Sequence, residues 1–227
     1  MCSSKKGVSS NQVHRTLGCT LKTASFVSHR LREAMRDGEL AVPFGSDGGA
    51  VEADETFIGR EPGKPKRRAY HHKIKVLSLF DRDSGKTRSM VVDDLKPATI
   101  VPILEKNIAK EARVMTDEGG HYYYLDRHFA EHGVVRHGQE EYVSADDRTI
   151  HTNTIEGYFS VFKRRMKGVY QHASKRHMRR YLAEFDFRYN NRVALGVNDT
   201  SRTETALRGI VGKRLTYRDS SVWPKSQ

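Results

Sequence analysis

Cysteine is almost absent from the chain. Cys2 and Cys19 are the only two among 227 residues, with neither a CxxC pair nor a Cys/His spacing around them. A disulfide framework is therefore excluded, a structural zinc site is unsupported, and reduced thiols are expected. Long hydrophobic runs are missing as well: no stretch approaches the roughly 18 apolar residues of a membrane span. The opening segment MCSSKKGVSSNQ has no apolar core or small-residue cleavage site behind it, so it does not read as a secretory signal and the chain is expected in the cytoplasm. No repeats, no HExxH and no convincing Ser/His/Asp or Cys/His arrangement occur; His121, His128, His132, His137, His151 and His172 are scattered and read as surface residues. Negative charge is in the minority. The 28 acidic side chains stand against 40 Lys and Arg, a formal net charge of +12. A field of that sign favours polyanions through phosphate contacts and counterion release, so nucleic acid leads the list of partners.

What is present is a soluble composition, 37% hydrophobic and 30% charged, in a length that suits one or two cores. Residues 8–36 read as helix, turn, helix. Val13 and Leu17 lie one turn apart, Gly18 to Thr20 makes the break, and Val27, Leu31, Ala34 and Met35 form one apolar stripe. The other face carries Lys22, Arg30, Arg32 and Arg36 with His29 beside them, as a helix against a phosphate backbone requires; a solvated helix shows the same face. DGELAVPFGSDGG then reads as a linker, with a domain boundary near residues 45–50.

Three consecutive strands are expected in AVEADETFIG, HKIKVLSLFDRDSG and KTRSMVVDDL. The loop between the first two holds Lys64, Lys66, Arg67, Arg68 and Lys73, suited to DNA or simply to solvent. PATIVPILEKNIAK reads as a helix with Pro97 in its first turn, ARVMTDEGG as a short buried strand, HYYYLDRHFAEHG as a helix, and VVRHGQEEYVS as a strand or extended segment. Two strongly patterned helices follow, one with Ile155, Tyr158, Phe159, Phe162 and Met166 on its apolar stripe, the other with Met178, Tyr181, Leu182, Phe185 and Tyr189. The chain after Asn191 reads as weakly structured or as a small closing element. This order describes an α/β fold, a mixed sheet covered by helices.

Three acidic positions carry the chemistry. In VEADETF, period-two alternation puts Glu52, Asp54 and Thr56 on one strand face. Carboxylates there need a cation or solvent, and for this segment in isolation an edge strand with its acidic face in water is the reading favoured. Asp117 ends the strand ARVMTD, where side chains at carboxyl ends of strands line a crevice, and where an Asp also starts turns. Glu156, Ser160, Lys163 and Lys167 form a polar stripe beside the apolar one, with Glu156 and Lys163 pointing the same way. Asn153 with Glu156 also reads as an N-cap and capping box. Two strand aspartates and a helix glutamate supply the ligands of a two-metal phosphoryl-transfer site, whose hard oxygen donors suit Mg²⁺ or Mn²⁺.

The strings NQVHRTLGCTLKTASFVSHRLREAMRDG, VEADETFIG, VMTDEGGHY, HTNTIEGYFSVFKRRMKGVYQH and RYLAEFDFRYNNR, in that order over about residues 5–215, resemble the DDE transposases of bacterial insertion sequences, specifically the ISXO-like group. The resemblance implies an RNase H-like catalytic domain over 46–215, a helix-turn-helix DNA-binding region over 1–45 and a tail over 216–227. It implies Asp54 and Asp117 as the first two catalytic and metal-holding residues and Glu156 as the third, with Asn153 the alternative, and two Mg²⁺ or Mn²⁺ ions per site. Lys163 would contact DNA phosphate near the scissile bond, with Arg164, Lys167, Lys22 and Arg30 as further DNA contacts. The implied partners are double-stranded DNA, as terminal inverted repeats and target, and further copies of the chain in a synaptic complex, with nucleoid association and no membrane. Cleavage at the element's ends and strand transfer by transesterification are the implied activity. A truncated non-catalytic copy that binds ends, or a stand-alone RNase H-like nuclease, is the alternative. The chain departs from the group in starting without a zinc ribbon, in carrying Tyr158 and Phe159 where a tryptophan is usual, and in placing Arg60 and Arg165 where glycine is expected. These departures leave the acidic set intact and bear on recognition of the ends.

Overall fold

A computed structural model describes residues 1–4, 6–38, 42–65, 70–136, 143 and 147–213. Two helices come first, α1 (Ser10–Leu17) and α2 (Leu21–Ala34), each begun by a side-chain cap, Ser9 Oγ on the Gln12 N–H and Thr20 Oγ1 on the Thr23 N–H. The break expected between them falls at Gly18, which adopts the left-handed conformation that ends helices. Three strands follow as expected, β1 (Ala50–Ile58), β2 (Ile74–Asp81) and β3 (Lys86–Val92), then α3 (Pro97–Asn107), β4 (Arg113–Asp117) and β5 (Glu131–Val135). The chain continues through α4 (Asn153–Arg165), a π-helical turn (Met166–Tyr170), α5 (Lys175–Asn190) and α6 (Asp199–Arg208).

The sheet order is β3-β2-β1-β4-β5, antiparallel across the first three strands and parallel from β1 to β4 to β5. Alternation along β1 and β2 divides the core in two. Val51, Ala53, Leu77 and Leu79 pack with Ile100 and Leu104 of α3 on one face, while Ile74, Val76 and Phe80 meet Ile155, Phe159, Phe162 and Phe185 of α4 and α5 on the other. Helices on both faces explain why every residue of β2 is buried. Full burial of a side chain such as Phe162 stabilises the fold by roughly 2 kcal/mol.

Several expectations are corrected. Residues 121–133 do not form a helix. Two 3₁₀ turns stand there, Gly120–Tyr122 and Leu125–Arg127, and β5 begins at Glu131. Tyr122, Leu125 and Phe129 have helical spacing and are buried, but Tyr124 between them has φ 74°, which breaks any helix. Arg32, expected on the outward face of α2, is fully buried: its Nε lies 2.8 Å from Glu184 of α5, and its guanidinium sits over the rings of Tyr181 and Tyr170. The buried seam of α2 is Ala24, Ser28 and Arg32, followed by Met35. Val27 and Leu31 are half-buried and line, with Phe26 and Ile210, a cavity of about 300 Å³. Past Asn191 the closing element is α6, begun by the Asn198 side chain on the Ser201 N–H and held by buried Arg202, which donates to the carbonyls of Asn191 and Cys2. Lys66, Arg67, Arg68, His137 and the expected tail over 216–227 lie outside the described residues, as does most of the second half of the segment VVRHGQEEYVS. Both cysteines are free, and among the described residues no helix is long and apolar enough to cross a membrane.

Candidate active site

The sheet settles which strand carries the acids. β1 is the central strand, so the edge-strand alternative falls: Glu52 and Thr56 are buried and Asp54 half-buried on the face covered by α4 and α5. The charge of Glu52 is answered by protein. Arg82 Nε lies 2.8 Å from its Oε1, His151 Nδ1 lies 3.4 Å from the same oxygen, and the Ile155 N–H donates to its Oε2 at 2.9 Å.

Asp117 ends β4, the parallel neighbour of β1. The parallel pairing of β1 and β4 runs Ala50 with Arg113, Val51 with Val114 and Glu52 with Met115. Asp54 and Asp117 each lie two residues past the last of these pairs, on neighbouring strands, and the charge of Asp117 acts on Asp54. Asp117 also starts the turn beyond, its Oδ1 accepting the Gly119 N–H at 2.9 Å.

Glu156 is in the first turn of α4, one residue beyond the N–H that Glu52 holds. Thr152, not Asn153, is the residue ahead of the helix; Asn153 is its first, exposed residue, and the capping-box reading is corrected. A carboxylate from β1 satisfies an N–H of the first turn that a local cap would otherwise take. The Thr152 hydroxyl instead donates to Glu156 Oε1 at 3.2 Å.

Burial and the charges of Glu55, Asp117 and Glu156 push the Asp54 carboxyl up to about 8, against the lowering effect of the Glu55 N–H, which donates to Asp54 Oδ1 at 2.6 Å. Asp54 thus senses both of the other acids expected at the site. Burial, Glu55, Asp54 and Asp117 likewise hold the Tyr122 hydroxyl well above its ordinary value. Among the described residues, no group of three or more His, Cys, Asp or Glu side chains is gathered closely enough to hold a metal ion as the side chains stand.

The basic residues divide. Lys163, Arg164 and Lys167 are exposed along the far end of α4 and its π turn, and Arg164 donates to Ser160 Oγ. Lys22 and Arg30 are exposed on α2. Arg165 is half-buried over the Phe185 ring, and burial lowers its guanidinium pKa.

Sequence reasoning missed the supports of the acids. Glu55, on the opposite face of β1 from Asp54, accepts the Tyr122 hydroxyl at 2.8 Å and lies 3.1 Å from His121 Nε2. His121 is therefore buried rather than a surface residue. Arg82 ties Glu52 to the carbonyls of Thr149 and His151. The available signal was the second acid, Glu55, immediately after Asp54 in β1. Tyr158, which stands in the region where a tryptophan is usual, donates to Asp186 of α5 at 2.7 Å.

The mixed sheet in this order, flanked by helices, makes this an RNase H-like α/β protein. Residues 47–190 match the family described as the ISXO2-like transposase domain, and the chain belongs to that family. It is thereby a transposase of the insertion-sequence kind, and DNA is its partner. No curated protein matched the chain.

Proposed function

We propose that the chain is a DDE-type transposase that cuts DNA at the terminal inverted repeats of its element and joins the freed ends to target DNA. The observation that supports this reading is the placement of Asp54 on the central strand, Asp117 at the end of the adjacent β4 and Glu156 in the first turn of the helix that Glu52 of β1 holds, in a chain matched over 47–190 by the transposase family. The chemistry of the donor set suits divalent cations, which would have to draw the three side chains closer than they stand. Three carboxylates supply hard oxygens, and burial, followed by the charges of its acidic neighbours, pushes the Asp54 carboxyl up to about 8, which a nearby cation would oppose. Asp54, Asp117 and Glu156 would hold two Mg²⁺ or Mn²⁺ ions. Glu156 is preferred to Asn153 because a carboxylate is the better ligand. When bound, such a pair supplies activation of the attacking oxygen and stabilisation of the leaving one.

The protein's own residues hold and orient the DNA. Lys163 lies seven residues from Glu156 on the same side of α4 and takes a phosphate near the scissile bond; Arg164 and Lys167 extend that contact along the backbone. Lys22 and Arg30 on α2 bind the repeat away from the cut. Hydrolysis breaks a P–O bond and frees a 3′-hydroxyl. That hydroxyl attacks a target phosphodiester in turn, forming one P–O bond as another breaks. Two ends must meet, so copies of the chain assemble on DNA, at the nucleoid.

The test is Mg²⁺- or Mn²⁺-dependent nicking of a fragment bearing the element's end by the wild type, Asp117→Ala, Glu156→Gln and Asn153→Ala. Cutting that is lost in the first two variants and kept in the third supports the reading. Binding without cutting would make the chain a DNA-binding protein only, and preferential cutting of RNA/DNA hybrids would make it a nuclease.

A further inference from the structure

We infer that Glu52 and Glu55 are positioning residues, each setting one of the two acids that Asp54 must meet: Glu52 sets Glu156, and Glu55 sets Asp117. The inference rests on the proposed acidic site and assigns work to two carboxylates that no step of the reaction uses.

Glu52 acts on the α4 side of β1. Its side chain is fully buried two residues from Asp54, and one oxygen accepts the Ile155 N–H at 2.9 Å. Ile155 precedes Glu156, so the start of α4 is fastened to the strand that carries Asp54. The negative charge also suits a helix N-terminus. The other oxygen takes Arg82 Nε at 2.8 Å, and Arg82 donates onward to the carbonyls of Thr149 at 2.5 Å and His151 at 2.7 Å. One buried carboxylate therefore fixes both the approach to α4 and its first turn.

Glu55 acts on the opposite side. Its Oε2 accepts the Tyr122 hydroxyl at 2.8 Å and lies 3.1 Å from His121 Nε2. The Tyr122 N–H donates to the Gly119 carbonyl at 2.9 Å, and the Gly119 N–H donates to Asp117 Oδ1 at 2.9 Å. The series runs without a gap from Glu55 to the Asp117 carboxylate. It is tightly packed: a Cβ on Gly119 would lie 2.8 Å from His121 Cε1 and 3.0 Å from Asp117 Oδ1.

The alternation of β1 makes this division of labour possible. Glu52 and Asp54 share a face, Glu55 takes the other, and the supports of Glu156 and Asp117 reach the same strand from opposite sides of the sheet.

Both supports are tested on the full chain without DNA. Glu52→Gln keeps the shape, but both oxygens of Glu52 face N–H donors, so an amide must turn its NH₂ toward one of them. Tyr122→Phe removes one hydroxyl from the Glu55 side. Mn²⁺ affinity is read from the rise in unfolding temperature with metal, and amide hydrogen exchange is read without metal. The expected result is Mn²⁺ binding at least tenfold weaker in each variant. Exchange should be at least tenfold faster at residues 153–157 in Glu52→Gln alone, and at residues 119–122 in Tyr122→Phe alone. Arg82→Lys gives up the bonds to the 149–151 backbone and serves as the α4 arm if Glu52→Gln does not fold. Folded variants that bind Mn²⁺ within twofold of the wild type, while Asp117→Ala abolishes binding, overturn this inference and leave the proposed function standing. A wild type that Mn²⁺ does not stabilise overturns both.

Discussion

Arg32 of α2 and Glu184 of α5 form an ion pair from which water is excluded on both sides, with Nε and Oε2 2.8 Å apart. Tyr170 donates to the other Glu184 oxygen at 2.6 Å, and Arg188 NH1 stands 3.6 Å from it. The N-terminal helices are thus anchored to the helix that also covers the sheet.

Removing one partner of a buried pair strands the other charge, at a cost of about 3–5 kcal/mol. Arg32→Ala is expected to lose that much in urea unfolding, and Arg32→Leu combined with Glu184→Leu to recover most of it. A loss below about 1 kcal/mol in the single variant would mean that α2 is held by its apolar contacts instead.

Asp186 predicts a pH dependence. Burial pushes its carboxyl up to about 7, although Tyr158 and Ser89 donate hydrogen bonds to it. Unfolded, the group titrates near 4. Between those values the folded chain keeps a proton that the unfolded chain has released, so stability falls as pH rises from about 4 to about 7 and this contribution is level above that. Asp186→Asn cannot ionise and is expected to flatten the fall, by a few kcal/mol between pH 5 and pH 8. Parallel stability curves for variant and wild type would refute it.

The basic end of α4 predicts a salt effect. Lys163→Ala and Lys167→Ala are each expected to weaken DNA binding to a similar degree on every sequence, and to reduce the slope of log affinity against log salt by about 1. Fluorescence anisotropy across a salt series measures both quantities. An unchanged slope would place these lysines away from phosphate.

The sheet strands and the α4 and α5 helices were legible because their hydrophobic periods are long and their breaks are marked by Gly, Pro and Asp. Asp54, Asp117 and Glu156 could be singled out as residues, since acids stand out against β-branched and aromatic neighbours. What places each of them in the fold could not be read. The β1–β4 register depends on pairing across more than sixty residues of chain, and the hold of Glu52 on Ile155 spans 103. Arg32 was misplaced for the same reason: a basic residue on a helix reads as exposed, and only Glu184, 152 residues on, makes its burial tolerable. The segment 121–133 was misread because Tyr122, Leu125 and Phe129 mimic a helical stripe, while the left-handed turn at Tyr124 leaves no mark in a tyrosine.

The bond from Ile155 to Glu52 also governs when the acidic face exists during synthesis. β1 leaves the ribosome with Glu52 and Asp54 in place, but their helix partner lies 103 residues later. At 5–20 residues per second, that is a wait of about 5–20 s. A growing chain therefore presents Glu52 and Asp54 well before α4 has been made, and Asp54 and Glu156 coexist only once about two thirds of the chain has been synthesised.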